Sequence, residues 1–293
     1  MQKVIDDDLL NFMGEQESQF LIKPSSLIHE VQERILHGDV TRGDVLPWSK
    51  THKYVGLRPG EVSLWAGING HGKSQLLGQV VAWGLNSSWL VASMEMLPAS
   101  TMERMTKQIS GCGKPSNEFI DKILNWTDGK LWIYDQTDTV ASDRILALIR
   151  YAVSKNISHV VIDSLMKCGI RKDDLEGQTY FIDKVCWLAK KNKIHIHIIH
   201  HMRKGENEYT IPNKFDVRGA GEVTDMVDNV FIIHRNKKKE LSEVKHDEDP
   251  DCWLKVDKQR HFSWEGIFNL WFSKESGQYT ADPNRVMKHW FDK

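Results

Sequence analysis

No Cys-x-x-Cys pair occurs in this chain. Cys112, Cys168, Cys186 and Cys252 stand far apart, which argues against a zinc ribbon or a secreted disulfide scaffold and predicts reduced thiols. Net charge is also missing: 39 basic residues meet 40 acidic ones for a balance of −1, so no bulk basic field draws the protein to nucleic acid. Any such contact must come from local clusters on particular loops. No apolar run is long enough to cross a membrane, and there are no internal repeats or low-complexity tracts. The acidic start, with Asp6, Asp7 and Asp8, is unlike a signal or transit peptide. The expectation is a soluble, cytoplasmic protein without a membrane partner, and 293 residues suffice for one large α/β domain plus an appendage.

What is present is a phosphate-binding loop. Gly67-Ile68-Asn69-Gly70-His71-Gly72-Lys73-Ser74 fits G-x-x-x-x-G-K-[ST] and predicts NTP binding, with Gln75 following it. Glycines let backbone N–H groups curl around phosphates, Lys73 supplies a point charge to the β and γ phosphates, and the Ser74 hydroxyl suits Mg²⁺. Residues 61–66 alternate like a strand, and residues 73–85 carry Leu76, Leu77, Val80, Val81 and Trp83 at helical spacing. A strand therefore leads in and a helix leads out, with its N-terminal dipole directed at the phosphates.

Upstream, Leu27, Ile28, Val31, Ile35 and Leu36 predict a short amphipathic helix over 25–37, with Ser25 or Ser26 as N-cap and Gly38 as stop. Its apolar face could dock on its own domain or on a neighbouring subunit. Downstream, strands are predicted at 88–94, 131–134, 159–162, 194–199, 229–234, 253–257 and 267–272. Helices are predicted at 99–109, 117–124, 142–154 and 180–191. This alternation specifies a mostly parallel sheet flanked by helices, with its ligand site at the strand carboxyl ends and an antiparallel edge formed by the last strands.

Two carboxylates stand where a phosphate-loop enzyme needs them. The run Val160-Val161-Ile162 ends in Asp163, the expected second Mg²⁺ ligand, and Ser93-Met94-Glu95-Met96 places Glu95 at the end of the next strand, able to orient or deprotonate water. His195, His197, His200 and His201 also cluster. Alternation sends the first two to one face, and no Cys or spaced carboxylate completes a zinc ligand set, so they are read as packed or solvated histidines.

Together these blocks resemble the helicase domain of the hexameric, RecA-like replicative helicases of the DnaB type, most closely the branch with phage primase-helicases and mitochondrial Twinkle. The resemblance runs from about residue 47 to 279. It is carried by Pro47-Trp48, Leu57-Arg58-Pro59-Gly60-Glu61, the phosphate loop, Ser93-Met94-Glu95-Met96, Ile199-His200-His201-Met202-Arg203, Asp216-Val217-Arg218-Gly219-Ala220-Gly221 and Lys258-Gln259-Arg260. It implies a RecA-like fold with a linker helix in residues 1–46 and an ATPase domain over 47–293. It implies Glu95 as catalytic glutamate and His201 as γ-phosphate sensor. It implies DNA contacts from Arg203, Lys204, Lys214 and Arg218, with Lys167, Arg171 and Lys172 on a second loop. Arg260, with Lys258 beside it, would reach a neighbour's site as an arginine finger, while Arg235 and Phe272 would clamp the base. Residues 261–265 depart from the family's glycine-containing pattern.

The resemblance further implies a ring, with a hexamer expected, that hydrolyses ATP or another NTP with Mg²⁺. Such a ring would translocate on single-stranded DNA and unwind duplex, in the 5′-to-3′ class, alongside a primase or polymerase in a bacterial or phage-infected cell. The linker helix would pack in trans. There is no zinc module and no room for a primase ahead of residue 25, as expected of a helicase alone or a piece of a longer chain. Two other readings are a RecA-superfamily ATPase that binds DNA without unwinding it, of the recombinase or clock-protein type, and a nucleotide-switched loader.

Overall fold

The computed structural model describes residues 21–37, 43–203, 209–219, 221–244, 246–261 and 264–291. The chain divides into two compact units, 1–42 and 43–293. In the first, a 3-10 turn (Pro24–Leu27) runs into α1 (Ile28–His37). The predicted serine cap is not used: Ser26 donates its hydroxyl back to the Lys23 carbonyl at 2.8 Å, and Pro24, with its preset φ, opens the turn instead. Glu30 and Arg34 pair one turn apart at 2.8 Å, and the predicted stop, Gly38, lies outside the described residues.

The second unit is built on one nine-stranded sheet. Its strands are β1 (Val62–Gly67), β2 (Trp89–Ser93), β3 (Leu131–Ile133), β4 (His159–Asp163), β5 (His195–His201), β6 (Asn229–Arg235), β7 (Cys252–Gln259), β8 (Gly266–Phe272) and β9 (Tyr279–Thr280). The spatial order is β3-β2-β4-β5-β1-β6-β7-β8-β9, parallel from β3 to β6 and antiparallel beyond, as the sequence pattern predicts. The two-residue β9 is too short to leave a periodic signal.

The flanking helices are α2 (Lys73–Trp83), α3 (Pro98–Ser110), α4 (Asn117–Thr127), α5 (Ser142–Ser154), α6 (Leu175–Asn192), α7 (Gly221–Met226) and α8 (Lys237–Leu241). Helix α6 starts five residues before its predicted start because Asp174 caps it, accepting from the Gly177 N–H at 2.8 Å. Successive strand residues point to opposite faces, so the sheet separates two cores. Leu64, Val160, Ile162, Ile196 and Ile198 pack toward α5 and α6, whereas Trp65, Val161, Ile199, Phe231 and Leu254 pack toward α2 and α3. Burial on both faces is why the parallel strands read as near-continuous apolar runs.

The clustered histidines pack at the amino ends of the strands, remote from the phosphate loop. His159 and His195 open β4 and β5. Trp65 Nε1–H donates to His197 Nδ1 at 3.2 Å, which leaves the His197 proton on Nε2, facing His159 Nδ1 at 3.2 Å. His159 Nε2 then meets Asp44 at 2.9 Å, while Trp89 stacks on His159 at 4.1 Å. The chain of neutral rings fastens residue 44, itself bridged to Leu57, onto the sheet. Among the described residues no group of three or more His, Cys, Asp or Glu is arranged to hold a metal.

Burial pushes His195 down to about 3 and His197 well below its ordinary range. Both therefore stay neutral when folded but bind a proton in the unfolded chain below its ordinary pKa, about 6.5. Stability is then full above pH 6.5 and lost as pH falls below it, by about 2 kcal/mol per histidine at pH 5. Urea unfolding followed by tryptophan fluorescence should show a lower midpoint at pH 5 than at pH 7. Equal midpoints would contradict the neutral assignment.

Candidate nucleotide site and its basic loops

Strand β1 ends at Gly67, and the loop to α2 turns on Gly70 and Gly72, at φ of 79° and 85°, where side chains are strained. A Cβ at Gly67 would stand 2.6 Å from the Ile233 carbonyl oxygen, and one at Gly72 would overlap the Tyr279 hydroxyl. Lys73 opens α2 and curls back, its Nζ donating to the carbonyls of Gly67 (3.0 Å) and Ile68 (3.1 Å). Burial lowers Lys73 to about 8. His71 is buried and accepts the Arg235 N–H on Nδ1 at 3.1 Å, so it joins the loop to β6 as well as lending its backbone.

The other residues converge because β2, β4, β5 and β1 are neighbours running the same way. Ser93 pairs with Asp163, and Gly67 with His201, so all four strand ends open on one side. Asp163 is buried; burial raises its pKa, and a hydrogen bond from Ser74 opposes that rise. A desolvated carboxylate joined to a hydroxyl is a donor set of hard oxygens, which fits Mg²⁺. Glu95 accepts from Ser164 Oγ at 2.7 Å and faces His201 Nε2 at 3.8 Å. The His201 contact, helped by Ser164, holds the Glu95 carboxyl down to about 2. His201 turns Nδ1 to the Lys73 ammonium at 3.5 Å, so it stands between the phosphate lysine and the glutamate. A cavity of about 670 Å³ opens there, lined by Asn69, Glu95, Thr139, Lys167, His201 and Arg218.

A second cavity, about 630 Å³, lies on the other side of the phosphate loop between Gly72, Gln75, Arg235, Phe272 and Tyr279. Arg235 and Phe272, the expected base clamp, thus share one space. Arg235 is held by an ion pair with Glu240, and Gln75 is held by the Gly277 carbonyl at 2.7 Å.

The predicted DNA residues separate. Lys167 lines the nucleotide cavity, where its charge is felt at Glu95. Lys172 and Arg203 line a different cavity, and Arg218 forms a wall of both. Arg171 is solvent-facing, 3.9 Å from Asp173; Lys214 lies over the Phe215 ring at 5.7 Å; Lys204 falls outside the described residues. Lys258 and Arg260 are occupied within the protomer. Lys258 Nζ donates to the carbonyls of Thr224 (2.8 Å) and Asp225 (2.7 Å), and Arg260 to those of Asp225 (2.9 Å) and Met226 (3.1 Å). Both cations cap the carboxyl end of α7, where the helix dipole favours positive charge.

Residues 44–207, more than half of the chain, match the family model described as an AAA domain, AAA_25. The chain belongs to this AAA domain family. No curated protein is matched in sequence. Among solved structures, this AAA domain is similar in fold to one described as an ATPase domain, with a TM-score of 0.75 and 15% identity over 88% of this chain and 98% of that one. It is also similar to a DnaB-like replicative helicase described with its interactions with primase, at 0.69 and 15% over 94% and 73% of the two chains. The RadB recombinase follows at 0.55 and 13%, over 77% and 92%. The expected likeness to a DnaB-type helicase domain holds at the level of fold, and the fold is RecA-like.

One residue of the AAA domain escaped the motif reading. Arg104, on α3, lines the crevice that also holds Ser74, Ser93 and Asp163, and its charge is felt at Asp163. The available signal was a cation on the inward stripe of α3, one turn from the buried Thr101 and Gln108. Arg104→Ala should lower kcat by about 10- to 100-fold, the scale of losing one charged donor near transferring phosphate. Steady-state phosphate release measures this; an unchanged kcat would remove Arg104 from the phosphate site.

Proposed function

We propose that this AAA domain is the motor of a ring-forming replicative DNA helicase, which hydrolyses NTP with Mg²⁺ to move along single-stranded DNA and part a duplex. The observation that carries this reading is the position of His201. On one side it meets Lys73 and Glu95; on the other, its carbonyl accepts the Arg218 N–H at 3.1 Å, at the end of the basic segment 203–218. A change at the γ phosphate therefore has a short path, through one imidazole and one backbone bond, into residues suited to DNA phosphates.

Lys73 and the loop N–H groups bind the triphosphate, and Glu95 orients water and takes its proton. Ser74 and Asp163 would hold Mg²⁺, which when bound neutralises charge on the phosphate oxygens. Arg260 completes the site of the next subunit, so hydrolysis depends on assembly. The expected partners are single-stranded DNA, further copies of this chain, and a primase or polymerase.

The test is NTP hydrolysis with and without single-stranded DNA, alongside strand displacement on forked duplexes. Stimulated hydrolysis with displacement supports the motor. Hydrolysis stimulated by DNA without displacement returns the recombinase-like reading, which the fold likeness to RadB favours. No hydrolysis under either condition leaves the nucleotide-switched loader.

A further inference from the structure

Behind the nucleotide cavity, and separated from it by Arg218, lies a cavity of about 300 Å³ whose polar groups the hydrolytic site does not use. Its wall is made by the segment after β4 and the segment after β5. Leu165, Met166 and Ile170 supply apolar surface, and Lys172, Arg203 and Arg218 bring three cations. Buried at its edge are His200 and Gln178, 4% and 7% exposed.

The hydrogen bonds of these two side chains fix which atoms remain. A carbonyl only accepts, so His200 Nε2, 2.7 Å from the Arg218 oxygen, carries the ring proton. Burial holds His200 down to about 4, so the ring is neutral and Nδ1 is a bare acceptor. By the same reasoning the Gln178 amide nitrogen faces the carbonyls of Arg171 (3.3 Å) and Lys172 (3.2 Å). Its oxygen therefore lies over Gly219, where any Cβ would overlap it. Neither His200 Nδ1 nor Gln178 Oε1 meets a donor, although both are buried. Two buried acceptors without donors are costly, and their natural complement is a ligand bearing N–H groups.

We propose that this cavity receives one unstacked base of the bound strand, a base with an exocyclic amine, its N–H groups directed to Gln178 Oε1 and His200 Nδ1. Lys172, Arg203 and Arg218 neutralise the adjoining phosphates, while Met166, Leu165 and Ile170 cover the base plane. The inference rests on the single-strand-binding reading above and adds base selectivity to it. Such pockets combine largely apolar walls with a few convergent polar atoms, and single-stranded nucleic acid is read through edges of this kind.

The test is fluorescence anisotropy of labelled oligo(dC), oligo(dT), abasic strand and oligo(dC) carrying N4,N4-dimethylcytosine. It uses the full chain with Mg²⁺ and a slowly hydrolysed ATP analogue at one salt concentration. Oligo(dC) should bind about 3- to 10-fold more tightly than oligo(dT), the value of one or two modest hydrogen bonds, and dimethylation should erase the difference. Gln178→Met should also erase it, and the dimethylated strand keeps the test open should that variant not fold. Equal affinity for oligo(dC), oligo(dT) and the abasic strand overturns the pocket while leaving strand binding intact. No affinity for any strand overturns the single-strand reading itself.

Discussion

Arg260→Ala should lower DNA-stimulated hydrolysis by about 10³-fold, the scale of losing an arginine finger, while nucleotide affinity stays within about twofold. Within the protomer the guanidinium touches only backbone carbonyls at the end of α7 and faces Asp228 at 3.5 Å. Loss of these half-exposed contacts costs about 1 kcal/mol of stability at most. A defect in turnover far larger than any defect in folding is therefore the signature of a role in another subunit. Mixing supplies the decisive measurement. Arg260→Ala subunits keep an intact Glu95, and Glu95→Gln subunits keep an intact Arg260, so mixed rings should regain part of the activity that either variant alone lacks. Unchanged turnover in Arg260→Ala, or no recovery on mixing, would reduce Arg260 to a cap on α7.

Glu95→Gln should reduce hydrolysis by about 10²- to 10⁴-fold, with nucleotide still bound. Glutamine has the same shape and retains an oxygen to accept the Ser164 hydroxyl now 2.7 Å from Glu95, so the local fold is preserved. What disappears is the negative charge that faces His201 and orients water. Single-turnover phosphate release and binding of a fluorescent nucleotide separate the two effects. A fall of less than threefold would move the base elsewhere, and a matching loss of binding would mean that Glu95 holds the nucleotide rather than activating water.

The phosphate loop was legible because its glycines answer to local geometry: Gly70 and Gly72 have positive φ, and Gly67 leaves no room for a Cβ. Asp163 and His201 were legible too, as polar residues closing buried apolar strands. The short helices α7 and α8 were not, since six and five residues span too few turns to show a period. Nor was the packing of His159 with His195 and His197, because residues 159 and 197 meet only through the pairing of β4 with β5.

By itself the sequence determined the order of strands and helices, the nucleotide chemistry and the chain positions of Glu95, Asp163 and His201, because periodicity, glycine conformation and strand ends are local properties. Only the tertiary structure decided which cations share a space. Lys167 stands with Glu95, Arg218 divides two cavities, Arg104 nears Asp163, and Lys258 and Arg260 are held by α7. In sequence these residues are interchangeable positive charges. Their partners are carbonyls and carboxylates brought close by strand order and helix packing, and no local pattern encodes that proximity.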